Sequence, residues 1–216
     1  MPEKIRLLSR GKVPEVYKRL SLSRAPEPEL EFKDAFQLLI AVLLSAQCTD
    51  KSVNKVTREL WRSVHSPGDF LAMGQERLEE AIHSLGFYRM KARHVIELCR
   101  ILVERHGGEV PGTFQELTAL PGVGVKTANV VLNLWFGMPT IPVDTHVFRV
   151  SRRIGLSDAA TPEETEAVLE RITPAKYAKD AHHYLLLHGR YVCKARKPEC
   201  GNCPLDGICR KNGVPV

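Results

Sequence analysis

The sequence has no long apolar run. The longest early one, residues 38–44, is far too short to cross a bilayer, and the opening Met-Pro-Glu-Lys lacks the apolar segment of a secretory signal. These absences set aside membrane and exported proteins and point to a soluble intracellular one. There is no internal repeat and no low-complexity tract, which excludes solenoids and disordered linkers. Alternating strand patterns are scarce, so sheet-based architectures are disfavoured. Six cysteines could suggest disulfides, but four of them crowd near the C-terminus of an otherwise ordinary chain. That clustering argues for a metal centre.

What is present is 216 residues with 44% hydrophobic content, enough for one large domain or two small ones with a real core. The net charge of +6 favours a polyanionic partner, although many soluble proteins are mildly basic. Helical signals recur along the whole chain. Residues 12–23 carry Val16, Leu20 and Leu22 on an apolar side, and Pro26 and Pro28 follow as breakers. From Asp34 an almost wholly apolar stretch reads as a centrally buried helix, ending at Ser45-Ala46-Gln47-Cys48. Thr49 or Asp50 caps a more polar helix reaching Trp61, and Ser66-Pro67-Gly68-Asp69 opens a short piece. Leu78, Ile82 and Leu85 mark a helix closed by Gly86. Residues 89–105 form another, ending at Gly107-Gly108. Residues 145–154 fit a helix stopped at Gly155. Thr161-Pro162-Glu163-Glu164 has capping-box spacing, and Thr173-Pro174 opens a last long helix reaching about Tyr191. The fold class is all-α.

The chain centres on residues 120–144, LPGVGVKTANVVLNLWFGMPTIPVD. Thr113 and Glu116 have the spacing to start a short helix, and a glycine hairpin, Pro121-Gly122-Val123-Gly124, leads into a second one from Val125. In such a helix-hairpin-helix the glycines allow a tight turn and close approach of a ligand. Exposed N–H groups at the positive helix end suit a phosphate, so Gly122, Val123 and Gly124 are candidate DNA-backbone contacts that read no sequence. Lys126 lies in the first turn of the new helix. Asp144 follows eighteen residues later in Ile141-Pro142-Val143-Asp144-Thr145-His146. An aspartate immediately before a helix is most often an N-cap, and that role can coexist with chemistry. Cys193, Cys200, Cys203 and Cys209 form C-x6-C-x2-C-x5-C. Four thiolates within seventeen residues imply a metal, and the spacing alone leaves zinc and iron–sulfur both open. Cys48 and Cys99 sit on apolar helical stretches and read as core residues. His182, His183 and His188 read as packing or hydrogen-bonding residues, since no carboxylate pattern matches them.

The hairpin lysine, the VDTH motif and the cysteine loop together resemble the endonuclease III family of DNA glycosylases, from about Lys33 to Arg210. The resemblance implies a two-lobed helix-hairpin-helix glycosylase fold. Residues 28–138 would form a six-helix domain, and residues 1–27 with 139–216 an iron–sulfur cluster domain. It implies that Lys126 and Asp144 are the catalytic pair, brought together in the cleft between the lobes, with Lys126 partly buried and attacking C1′ of a flipped nucleotide as the neutral amine. It implies a [4Fe–4S] cluster on Cys193, Cys200, Cys203 and Cys209, with Lys194, Arg196 and Lys197 gripping phosphates beside it. Gln47, in SAQ-x-TD, would fill the gap left by the flipped base. Phe87 stands where the family usually has an apolar wedge, often leucine, and as an aromatic it is expected to be packed as well as binding. Val125 stands where the family often has a basic residue. His146 and Arg149 could reach backbone phosphate. The implied activity is excision of oxidised pyrimidines followed by β-elimination at the abasic site. The implied partner is double-stranded DNA carrying damaged pyrimidines or abasic sites, met by a monomer on the bacterial nucleoid and not by a membrane protein. A mismatch-adenine glycosylase is the competing enzyme, disfavoured by Lys126. A non-catalytic iron–sulfur DNA-binding module is disfavoured by the presence of both Lys126 and Asp144.

Overall fold

The computed structural model describes residues 5–214. The Met-Pro-Glu-Lys start and the last two residues of the segment 139–216 lie outside the described residues. Among the described residues there are helices and short 3₁₀ turns but no strand. None of those helices is long and apolar enough to cross a membrane.

The chain packs into two units, one of Pro28–Gly137 and one joining Met1–Glu27 to Met138–Val216. The second unit receives helix α1 (Val13–Ser23), whose Val13, Val16, Tyr17 and Leu20 are buried, whereas Leu22, read with the apolar side, is exposed, because two residues past Leu20 the helix has turned to its opposite face. The Pro28–Gly137 unit follows with α2 (Ala35–Leu44) and α3 (Asp50–Leu60), then α4 (Pro67–Met73) and α5 (Gln75–Ile82). It is completed by α6 (Tyr88–His106), α7 (Phe114–Thr118) and α8 (Val125–Leu134). As its composition requires, α2 is buried along nearly its whole length. Asp34 caps it by accepting from the Gln37 N–H at 2.7 Å. Thr49 caps α3, and Ser66 with Asp69 makes a full capping box at α4. The chain then enters the other unit with α9 (Thr145–Ile154), α10 (Pro162–Ile172), α11 (Ala175–Ala178) and α12 (Ala181–Tyr191).

Two readings of the sequence are corrected. The helix expected to run through Leu85 stops at Ile82, where the Leu85 N–H bonds the Ile82 carbonyl three residues back and Leu85 turns into the core. The last long helix is two helices. The Asp180 N–H closes on the Tyr177 carbonyl at 3.1 Å, again a three-residue step, and the axis breaks there. Tyr177 stacks on Tyr17 and meets Tyr184 edge-on, so ring packing supports the break.

The two ends of the chain are knit together at Tyr17. Its side chain is fully buried, burial pushes its hydroxyl up to about 12, and the Thr173 hydroxyl donates to it at 2.8 Å. Tyr17→Phe keeps the ring packing but leaves Thr173 without this acceptor. It should lower the unfolding free energy by about 1 kcal/mol, measurable by denaturant titration.

Candidate functional site

The hairpin is built as its glycines demand. Gly122 has φ of 75°, and a Cβ there would come within 2.8 Å of the His94 ring. Both backbone and packing therefore require glycine. Gly124 differs: its backbone is ordinary extended chain and a Cβ would meet nothing within 4 Å. Nothing inside the chain requires glycine there, whereas a ligand approaching the backbone would. No side chain caps α8 at Gly124, so its first-turn N–H groups face outward without intramolecular partners among the described residues. Val123 is corrected. Its side chain is in the core and its N–H bonds the Leu120 carbonyl at 3.1 Å, so it has neither to offer a phosphate. Lys126 is also corrected, being exposed instead of partly buried, because the first turn of α8 faces solvent. Val125 beside it is exposed too.

Gln47 and Phe87 share an unusual backbone. Their φ values are 56° and 58°, in the left-handed region that non-glycine residues avoid. Such strain persists where surrounding structure enforces it, commonly at functional sites. Gln47 is exposed past the end of α2, and Phe87 at the start of α6 is 59% exposed. The expectation that Phe87 is packed is therefore corrected, since the left-handed turn projects the ring out of the core. The two residues are linked through their neighbours, because Lys91 Nζ donates to Cys48 Sγ at 3.1 Å.

In the other unit, Asp144 is the N-cap of α9. Its Oδ1 accepts from the N–H groups of His146 and Val147, both at 2.8 Å. Oδ2 takes no hydrogen bond among the described residues. One oxygen thus fixes the orientation of the carboxylate. Arg149 and His146, expected to reach phosphate, are both half-buried and have partners within the chain. Arg149 donates to the carbonyls of Gly189 and Cys193 and touches the His146 ring at 3.3 Å. Burial lowers its pKa, with the Cys193 sulfur pulling the other way. One turn on, buried Arg153 donates to the carbonyls of Lys194 and Ala195 and lies 3.6 Å from Cys193 Sγ. Arg153 was not singled out from sequence. The available signal was two arginines four residues apart on a helix that must pack.

The four loop cysteines line one pocket, with Ile154 and Val192 as apolar walls and His188 beside Cys203. Among the described residues no three His, Cys, Asp or Glu side chains are arranged to hold a single ion. Four cysteines lining one pocket supply the donor set of an iron–sulfur cluster. Backbone N–H groups of Leu205 and Lys211 point at the sulfurs of Cys203 and Cys209, which suits bound thiolate. Burial pushes the Cys203 thiol up to about 11 and raises Cys209, and the neighbouring sulfurs add to both shifts. Loading the pocket therefore displaces protons. Of the basic residues interleaved here, Lys194, Arg196 and Lys197 are all exposed, and Lys194 also pairs with Glu199 at 2.6 Å. His182 and His183 are buried and pack edge to face, with His182 also bonding the Pro142 carbonyl.

Hairpin, capped carboxylate and cysteine pocket define a class. Residues 40–175 match the HhH-GPD superfamily of base excision DNA repair proteins, and residues 193–209 match the iron–sulfur binding domain of endonuclease III. The chain is 51% identical to endonuclease III of Escherichia coli (strain K12), covering 85% of this chain and 87% of that one. It is 48% identical to endonuclease III of Treponema pallidum (strain Nichols), covering 97% and 100%. A solved structure of a trapped endonuclease III–DNA covalent intermediate superposes with a TM-score of 0.89 at 44% identity, covering 95% of this chain and 98% of that one. The chain belongs to the endonuclease III family.

Two outcomes follow from this geometry. Arg153→Met should leave two loop carbonyls without donors, cost about 1–3 kcal/mol in thermal unfolding, and speed iron loss to a chelator. Phe87→Ala should change the unfolding free energy by no more than about 0.5 kcal/mol while weakening binding to an abasic-analogue duplex.

Proposed function

We propose that this chain removes oxidised or ring-saturated pyrimidines from double-stranded DNA and cuts the strand at the resulting abasic site, with Lys126 as nucleophile and Asp144 as its carboxylate partner. The chemistry is that of a DNA glycosylase with abasic-site lyase activity. The observation that carries the residue assignment is the divided carboxylate of Asp144. Oδ1 is taken by the cap and Oδ2 has no hydrogen-bond partner among the described residues, so the carboxylate can accept a proton while it caps the helix.

The lesion nucleotide rotates out of the duplex. The hairpin N–H groups hold the phosphate backbone, and Gln47 and Phe87 occupy the space the base leaves. The Lys126 amine attacks C1′ as the C1′–base bond breaks, and Asp144 takes the amine proton and stabilises positive charge developing on the sugar. The sugar ring opens to a Schiff base on Lys126, and β-elimination breaks the strand 3′ to the lesion. The cofactor is a [4Fe–4S] cluster. Cys193, Cys200, Cys203 and Cys209 would hold it, and its iron–sulfur bonds would lock the loop that presents Lys194, Arg196 and Lys197 to phosphates. The protein acts as a monomer, on the bacterial nucleoid.

Borohydride reduces an imine to a stable amine, so wild-type protein should become welded to thymine-glycol or abasic duplex and should nick it without added metal. Lys126→Gln should bind the lesion yet neither trap nor nick. Asp144→Asn retains a capping oxygen, so it should fold normally and react far more slowly on the base lesion. Unchanged trapping in Lys126→Gln would place the nucleophile elsewhere. Metal analysis should find about four irons per chain, and Cys203→Ser should lose iron and DNA affinity together. One zinc and no iron would refute the cluster, and iron retained in Cys203→Ser would refute the ligand assignment.

A further inference from the structure

Lys91 and Cys48 are used by none of the chemistry above, and their pairing is unusual. Lys91 is 3% exposed. A buried lysine ordinarily faces a carboxylate. Here Nζ has one hydrogen-bond partner among the described residues, the Cys48 sulfur at 3.1 Å. Cys48 is half-buried, has no disulfide, and packs on the core of the Pro28–Gly137 unit. Each partner also anchors one of the two strained turns. The Cys48 N–H closes on the Ser45 carbonyl at 3.0 Å, with left-handed Gln47 inside that turn. The Lys91 N–H bonds the carbonyl of left-handed Phe87 at 3.0 Å.

We propose that Cys48 and Lys91 form a modification site, where a hydroperoxide joins Sγ to Nζ and so switches the turns carrying Gln47 and Phe87. A cysteine beside a cationic nitrogen, partly open to solvent, is the environment in which thiols react with small oxidants. Taken from the electrically neutral pair, Sγ attacks a peroxide oxygen. An S–O bond forms, the O–O bond breaks, and the departing hydroxide leaves as water with the proton the pair holds between them. The product is a sulfenic acid beside a neutral amine. Sulfenic acids condense with nitrogen. Nζ attacks Sγ, the S–N bond forms, the S–O bond breaks, and hydroxide leaves with an Nζ proton as a second water. Sulfur has lost two electrons and the peroxide has become two waters. A thiol reverses the step by attacking Sγ and returning the amine. Closing a 3.1 Å contact to a covalent bond must move the Ser45–Cys48 turn, the first turn of α6, or both. The effect on DNA rests on the roles given above to Gln47 and Phe87, whereas the bond itself does not.

The test uses the cluster-loaded protein, titrated with hydrogen peroxide while visible absorption of the cluster is followed in parallel. Peptide mass mapping should find the Cys48 and Lys91 peptides joined and two hydrogens lighter, and dithiothreitol should separate them. Binding to an abasic-analogue duplex should weaken several-fold on oxidation and recover with dithiothreitol. Cys48→Ala and Lys91→Met should show neither link nor loss, and Lys91→Arg serves if the methionine variant does not fold. Cys48 oxidised only to sulfinic or sulfonic acid, with the cluster intact, would overturn the site. A link with unchanged binding would overturn the switch. Borohydride trapping through Lys126 needs neither residue, so failure of the catalytic assignment is read separately.

Discussion

The capping of α9 by Asp144 is the interaction on which the Met1–Glu27 and Met138–Val216 unit depends. Two N–H groups fix one carboxylate oxygen at the start of that helix. Everything else in the unit is referred to the same axis. Its side carries Arg149 and Arg153, which hold the carbonyls of the cysteine loop. Its C-terminal end bonds both chain ends, with Leu8 donating to Gly155, Arg210 to Ile154 and Asn212 to Arg153. A Cβ on Gly189 would come within 3.0 Å of His146 and Val150, so glycine there lets α12 lie close enough for Arg149 to reach its last carbonyls. The capping carboxylate and the cysteine loop are thus placed by one helix, the arrangement that best preserves their geometry.

The arginines on α9 show why positive charge alone is a poor guide to a nucleic-acid surface. Arg149 and Arg153 are half-buried or buried and bind carbonyls, and Lys194 is paired with Glu199. Lys194, Arg196 and Lys197 are exposed. A guanidinium has five donors in a fixed fork, which suits loop carbonyls as well as it suits phosphate. In this chain the fork positions the cysteines, and the neighbouring exposed cations are the ones available to an outside anion.

In the Pro28–Gly137 unit the local backbone carries comparable information. Gly122 is demanded by its own turn and by His94, whereas Gly124 is demanded by neither conformation nor packing. Gln47 and Phe87 take left-handed backbones that glycine would adopt more readily. The buried contact of Lys91 with Cys48 ties the two strained turns together, so they behave as one element.

The sequence by itself determined the helices, the hairpin, the capping aspartate and the cysteine spacing, because each depends on residues within a few positions of one another. Asp34, Thr49, Ser66, Asp144 and Thr161 cap where their local patterns place them. Resemblance supplied the chemistry of Lys126 and the cluster. The tertiary structure decided what depends on contacts distant in the chain. It placed Val123 in the core, left Lys126 and Phe87 exposed, gave Arg149 carbonyl partners, added Arg153, and divided the last helix at Asp180. Cys48 and Lys91 are forty-three residues apart, and no periodicity announces their contact. Burial and pairing of a polar side chain are properties of what packs against it, and those neighbours are chosen only when the chain folds.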